Sequence, residues 1–220
     1  MLITMNNSVG NTGRLLWAGL RALVILTVVC GVLYPLAVTG VAQAVFHDKA
    51  NGSEIKEDGK VVGSSLIGQT YLTEDGKPDL RWFQPRPSNG LGTNSVNTQY
   101  KLILSGATNL SGDNKDLIKQ VEDAKAAVVE DNSTATYRVK AADVPADAVT
   151  SSGSGLDPAI SPRYADLQVH RVAERNHLAV DRVRKLVAEH TDGRILGFMG
   201  EPTVNVLELN VALRQLNDAS

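Results

Sequence analysis

The sequence has little cysteine and no concentration of basic residues, and each absence excludes a class of protein. Cys30 is the single cysteine among 220 residues, so no intramolecular disulfide can form. The 22 basic and 24 acidic residues nearly balance, and no basic patch or stripe stands out. Nucleic acid is therefore not an expected partner, because its binding requires clustered positive charge.

Several catalytic motifs are also missing. The sequence contains no G-x-x-x-x-G-K-[ST] phosphate loop, no G-x-S-x-G nucleophile turn and no H-E-x-x-H zinc motif. The four histidines, His47, His170, His177 and His190, do not have the spacing of metal ligands. We therefore expect no catalytic residue and no metal site in this chain.

Charge is absent from residues 22–46, and this apolar run organises the chain. A helix of that length exceeds the ~30 Å hydrocarbon core of a bilayer. A buried core helix and a cleaved signal peptide with an Ala42-Gln43-Ala44 site are the alternatives. The run is longer than the roughly 7–15 apolar residues of a signal peptide, which favours a retained single span.

The flanking charges predict an orientation. Arg14 and Arg21 are the only charged residues among the first 47, and they precede the apolar run. The positive-inside rule then places the N-terminus in the cytoplasm and the remainder outside. We expect a short cytoplasmic N-terminus at 1–14, a transmembrane helix at 15–46, a linker at 47–60 and an extracytoplasmic α+β domain at 61–220.

The apolar run has features suited to contact with other helices. Pro35 removes one backbone hydrogen-bond donor, so a kink is expected there. Ala37, Gly40 and Ala44 recur at helical spacing and form one face of small residues, which permits close approach of a second helix. We treat these four positions as candidate partner contacts. The alternative is that glycine and alanine are simply common in membrane helices.

The rest of the chain alternates helical and extended patterns, which is typical of an α+β domain. Asn51-Gly52 and Asp58-Gly59 indicate turns in a linker or hairpin, and apolar pairs between 61 and 72 indicate short strands or a bulged hairpin. Apolar spacing and capping residues predict four helices, at 114–130, 161–175, 180–190 and 209–216. Further short strands are expected at 80–83, 137–140 and 204–206, with a turn at 75–79 and a loop at 84–97.

The loop S-S-G-S-G-L-D-P at 151–158 is the densest candidate binding site. Its candidate residues are Ser152, Gly153, Ser154, Gly155 and Asp157. Successive Gly and Ser residues can form a nest of N–H groups that accepts an anion. The alternative is a hydrogen-bonded turn that leads to the helix cap at Ser161.

A second loop, P-R-P-S at 85–88, holds Arg86 rigidly between two prolines. One interpretation is that Arg86 docks on a partner or shapes an ion entrance. The other is a simple surface loop.

Several strings occur together in one order and spacing. They are Y-P-L-A-V-T-G at 34–40, G-S-S-L-I-G-Q at 63–69, P-R-P-S at 85–88, S-S-G-S-G-L-D-P-A-I-S at 151–161, R-V-A at 171–173, G-E-P at 200–202 and N-V-L-E-L-N at 205–210. From about Leu15 to Leu216 the chain resembles the C subunit (KdpC) family of the bacterial high-affinity potassium-transporting Kdp ATPase. Each string alone is weak evidence for the family, but their occurrence together in the same order makes the resemblance specific.

The resemblance implies a non-catalytic subunit in the bacterial cell membrane. Its implied partners are a channel-like potassium-binding subunit, a P-type ATPase subunit and a small membrane peptide. The family is described as a catalytic chaperone that raises the ATP affinity of the ATPase subunit. We therefore expect no tightly bound cofactor, with ATP and potassium acting through the complex. Two other hypotheses remain at this stage: an extracytoplasmic sensor that binds an anion at 151–157, and an anchored enzyme with an unrecognised site.

Overall fold

The computed structural model describes residues 9–88 and 105–218. The chain divides into two compact units, Met1–Ser53 and Glu54–Ser220. The first unit is helical, and the second is a small α+β domain. The expected fold class, an N-terminal apolar helix followed by an α+β domain, is confirmed.

The first unit contains a long helix interrupted by one wider turn. Helix α1 (Val9–Val28) continues through a π-helical segment (Val29–Leu33) into α2 (Tyr34–Val45), and a short α3 (His47–Ala50) follows. Residues Gly10–Val45 are long and apolar enough to cross a membrane, and the helix is about 54 Å long at the usual rise. It exceeds the ~30 Å hydrocarbon core, so its ends are expected in the interfacial regions.

The π segment is the local response to Pro35. Proline lacks an N–H and its ring clashes with the carbonyl four residues earlier, here that of Gly31. The Tyr34 N–H instead donates to the Val29 carbonyl, five residues back, which widens the turn just before the proline. The structure thus shows a π turn at 29–33, and the kink at Pro35 stays a prediction.

A bulged hairpin opens the α+β domain. Strands β1 (Glu54–Glu57) and β2 (Lys60–Ser64) pair antiparallel, and their register shifts between Ile55 and Lys56. Asp58 and Gly59 both have positive φ, at 49° and 75°, as a tight two-residue turn requires. The sequence predicted a turn there and a bulged hairpin nearby. The apolar pairs between 66 and 72 form only an isolated bridge, from Leu72 to Pro78.

The described part of the domain contains four α-helices: α4 (Lys115–Asn132), α5 (Pro162–Arg175), α6 (Val180–Glu189) and α7 (Val206–Asp218). Asn114 caps α4 by accepting from the Asp116 and Leu117 N–H groups. Ser161 caps α5, with Pro162 in the first turn, as the sequence predicted. Helix α7 begins three residues before its predicted start, because the Asn205 side chain caps it directly at the end of a strand.

A small antiparallel sheet lies beside these helices. It contains β3 (Ala159–Ile160), β4 (Thr191–Asp192) and β5 (Thr203–Asn205) in the order β3-β5-β4. Two 3-10 turns, Ala141–Asp143 and Ala146–Ala148, precede β3. The core is made by apolar side chains of α5, α6, α7 and β5 together with residues of the preceding loops; it includes Tyr71, Phe83, Ile160, Tyr164, Leu167, Val172, Val183, Val187, Val204, Leu209 and Leu213.

Two predicted strands are wrong. Residues 80–83 form a turn, and their backbone groups bond to helix side chains instead of a neighbouring strand: Asn210 pairs with both the N–H and the carbonyl of Phe83 at 2.9 Å. Residues 137–140 are irregular, with the Val139 N–H donating to Ser133 Oγ at 3.2 Å. In both segments side chains form hydrogen bonds with backbone N–H or carbonyl groups, so these groups do not need a partner on a neighbouring strand.

Candidate functional site

The small-residue face of α2 is fully exposed within this chain. Pro35, Ala37, Gly40 and Ala44 are all solvent-exposed, and α2 has no buried residue. A Cβ atom placed on Gly40 would meet nothing within 4 Å. The face is therefore open to a second helix.

An apolar depression lies on the same helix. Tyr34 and Phe46 bound it, and the small side chains of Ala37 and Ala42 lie between them, beside Val38 and Val41. At the other end of the unit, the Arg21 guanidinium lies 5.7 Å from the centre of the Trp17 ring. Paired aromatic and basic residues of this kind are typical of the membrane interface.

The two loops singled out in the sequence lie against each other in the domain. The Arg86 guanidinium donates to Asp157 Oδ2 at 3.2 Å, to the Thr150 carbonyl at 3.3 Å and to the Ser151 carbonyl at 3.2 Å. Ser88 Oγ donates to the Gly155 carbonyl. Arg86 and Asp157 are partly buried, so this loop junction, residues 85–88 with 150–157, is an internal contact of the domain.

Three N–H groups of the 151–157 loop are directed at the loop's own oxygens. The Gly155 N–H donates to the Ser152 carbonyl at 3.2 Å, and the Leu156 N–H donates to Ser154 Oγ at 3.1 Å. Ser152 Oγ faces the Asp157 N–H at 3.4 Å, and Gly153 lies in open space. This arrangement favours the turn interpretation. The anion site at Ser152–Asp157 stays a prediction.

A buried arginine, Arg171, holds the segment that precedes this junction. Its guanidinium donates to Asn132 Oδ1 at 2.8 Å, to Gln168 Oε1 at 2.6 Å, to the Trp82 carbonyl at 2.9 Å and to the Leu80 carbonyl. These acceptors are uncharged, and burial lowers the pKa of Arg171 to about 10. The guanidinium thus organises the 80–84 turn through hydrogen bonds to uncharged acceptors.

Gln168 lies on α5 one helical turn before Arg171 and binds the backbone of the same loop segment. Its Oε1 accepts from the Gln84 N–H at 2.7 Å, and its Nε2 donates to the Gln84 carbonyl at 3.1 Å. Sequence reasoning assigned no role to Gln168, Arg171 or Asn210. The available signal was their position on the inward faces of α5 and α7, where a polar side chain must find buried partners.

A cleft of about 220 Å³ lies between α4, α5 and the 84–88 loop. Arg86, Asp131, Tyr164 and Arg171 contribute to its wall. Burial raises the pKa of Asp131 above its ordinary value and raises the pKa of Tyr164 to about 12. In both cases burial penalises the charged form of the group.

The histidines with a described environment make local contacts. The His170 ring stacks on Tyr137 at 3.9 Å between centres, and burial lowers the pKa of His170. His190 Nδ1 lies 2.9 Å from the Leu186 carbonyl. Across residues 9–88 and 105–218, no group of three or more His, Cys, Asp and Glu side chains could hold a metal ion.

In the described residues, one apolar helix long enough to cross a membrane precedes a compact α+β domain, an arrangement consistent with a membrane subunit. The family model described as K⁺-transporting ATPase, c chain (KdpC) matches residues 16–215. The chain belongs to the KdpC family.

Potassium-transporting ATPase KdpC subunits of other bacteria align with this chain over nearly their whole length. The potassium-transporting ATPase KdpC subunit of Streptomyces avermitilis is 77% identical over 218 residues, which cover 96% of this chain and 98% of that protein. Those of Streptomyces coelicolor and Kineococcus radiotolerans are 67% and 47% identical, each over 96% of this chain and 97% and 98% of their own lengths. The resemblance inferred from the motifs is confirmed, and with it the assignment to the K⁺-transporting ATPase as an accessory subunit.

Proposed function

We propose that this chain assembles the potassium-transporting complex through its membrane helix and acts there as a catalytic chaperone. Its partners are a channel-like potassium-binding subunit, a P-type ATPase subunit and a small membrane peptide. In this proposal it raises the ATP affinity of the ATPase subunit. The chain itself holds neither nucleotide nor potassium tightly, and both act through the complex.

The exposed small-residue face of α2 carries this proposal. Membrane helices associate by close packing, and glycine and alanine allow backbones to approach. Gly40 lies at the centre of the candidate contacts Pro35, Ala37 and Ala44 and is crowded by nothing in its own chain. A side chain added there would therefore disturb a partner helix and leave the subunit itself unchanged.

The proposed topology limits how this subunit can change the ATP affinity of the ATPase subunit. Arg14 and Arg21 favour a cytoplasmic N-terminus, which leaves the domain outside and away from cytoplasmic ATP. The effect on ATP affinity must then pass through helix packing, as an allosteric coupling of about 1–3 kcal/mol. Arg86 contributes to partner contact only through the part of its side chain that the loop junction leaves exposed.

Gly40→Leu tests this function, with Gly19→Leu as the matched control. Both glycines lie in the same long helix and meet nothing within 4 Å, and both substitutions raise helix propensity equally. We expect Gly40→Leu to reduce copurification with the ATPase subunit from mild detergent. In the complexes that remain, we expect a higher ATP concentration at half-maximal activity. Gly19→Leu should leave both measurements near those of the unsubstituted protein.

Two results would contradict the proposal. Normal assembly and normal ATP dependence of Gly40→Leu would mean that the helix is only a tether. Equal loss in Gly40→Leu and Gly19→Leu would mean that the α2 face has no special role.

A further inference from the structure

The connection between β4 and β5 exposes an unusual concentration of apolar side chains. Four residues of this tip, Ile195, Leu196, Phe198 and Met199, are 68%, 80%, 70% and 50% exposed. The other exposed large apolar residues of the described domain occur singly or beside one neighbour, as is normal for a soluble surface. A contiguous apolar tip of this kind marks a contact surface. We call residues 194–201 the apolar tip.

The apolar tip satisfies much of its own backbone. The Ile195 and Met199 N–H groups donate to each other's carbonyls at 2.9 and 3.0 Å. The Gly197 and Phe198 N–H groups donate to the carbonyls of Arg194 and Ile195. Internal pairing of this kind is required of any backbone that enters lipid, where no water can replace a missing partner.

The charges of the apolar tip are confined to its base and neutralise each other. Arg194 and Glu201 form an ion pair at 2.8 Å, and residues 195–200 contain no ionisable group. The tip can therefore enter an apolar environment without transferring a charge into it.

The covalent connection to the N-terminal helix holds the domain close to the bilayer that this helix is proposed to span. Eight residues separate the end of α2 at Val45 from the start of β1 at Glu54, and four of them form α3, so the connection spans about 20 Å at most. A domain tethered that closely to a bilayer meets it at high effective concentration, so a weak apolar contact is enough for binding.

We propose that the apolar tip inserts its four exposed side chains into the surface of the bilayer that the N-terminal helix spans. The occupant is lipid, recognised by apolar burial without a specific headgroup. The contact supplies a second, reversible attachment that limits rotation of the domain about its tether. This inference is independent of the chaperone function and rests on the apolar tip and the tether alone.

Spin labelling tests the proposal with the full-length chain. Phe198→Cys is placed in a Cys30→Ser background, labelled and reconstituted in vesicles of phosphatidylethanolamine and phosphatidylglycerol. Collision with dissolved oxygen is compared with collision with a water-soluble nickel chelate. Leu66→Cys is the matched control, because Leu66 is also an exposed leucine, at 62%, and lies outside the tip. Leu196→Cys provides a second tip position if Phe198→Cys alters the turn.

We expect labels at 198 and 196 to show a several-fold higher oxygen-to-nickel collision ratio than the label at 66. Equal ratios at the tip and at 66 would overturn the proposal. The same labels are then measured in the purified potassium-transporting complex. A tip label that is immobilised there and shielded from both reagents would also overturn it, because that pattern indicates a protein surface.

Discussion

Arg171 shows how one residue can organise a segment that has no regular structure. Its planar guanidinium reaches two loop carbonyls and two side-chain amides from the middle of α5. Lysine cannot reproduce this geometry, because its ammonium is a compact charge on a flexible stem. Only 2% of the Arg171 surface is exposed. Its removal would therefore leave several buried acceptors with neither their donor nor water.

Arg171→Met is expected to lower the free energy of unfolding by about 3 kcal/mol or more, because buried carbonyl and amide groups lose their donor. Arg175→Met is the control, since Arg175 is an exposed arginine of the same helix and should change stability by less than about 0.5 kcal/mol. Denaturant unfolding of the detergent-solubilised chain in a Trp17→Phe background, which leaves Trp82 as the single tryptophan, measures both by fluorescence. Equal effects of the two substitutions would contradict a special role for Arg171.

At the scale of elements, two loops far apart in sequence stabilise each other. The 85–88 and 150–157 segments share the Arg86 and Ser88 contacts, and Gly155 lies where they meet. Gly155 has φ of +70°, and a Cβ there would lie 3.0 Å from the Gly106 carbonyl oxygen. This glycine is thus required both for its backbone conformation and for close approach.

Gly155→Ala should therefore destabilise the domain by about 1–2 kcal/mol, because a left-handed alanine is strained and its methyl group crowds a backbone oxygen. Gly153→Ala is the matched control in the same loop, where an added Cβ meets nothing within 4 Å. Thermal unfolding of both variants, followed by circular dichroism, provides the comparison. A Gly155→Ala protein as stable as Gly153→Ala would show that the loop junction adapts without cost.

At the scale of the whole molecule, charge is distributed unevenly along the chain. The apolar helix carries two arginines near its start, whereas all 24 acidic residues follow it. Positive charge on the N-terminal flank is the feature that retains that flank in the cytoplasm. The predicted outcome is a single span with the α+β domain outside.

Cysteine labelling in intact cells tests this topology. In a Cys30→Ser background, a cysteine at exposed Lys185 should react with a membrane-impermeant maleimide. A cysteine at Asn11 should react only after the membrane is permeabilised. The reverse pattern would place the domain in the cytoplasm and would allow direct contact with ATP.

The sequence by itself determined the features that depend on local chemistry. The apolar run, the helix cap at Ser161 and the turn at 58–59 are each specified by neighbouring residues of the chain, so periodicity and residue type were sufficient to predict them. The ordered motifs likewise carried the family assignment. Part of the predicted 84–97 loop lies outside the described residues.

Only the tertiary structure decided what the backbone of 80–83 bonds to, and that the two candidate loops are one junction. Arg86 and Asp157 are 71 positions apart, and Phe83 and Asn210 are 127 apart. No local pattern distinguishes a strand that pairs with another strand from a turn held by helix side chains. The π turn at 29–33 of the apolar run is by contrast a local response to Pro35, whose position predicted a disturbance of the helix and left its form open.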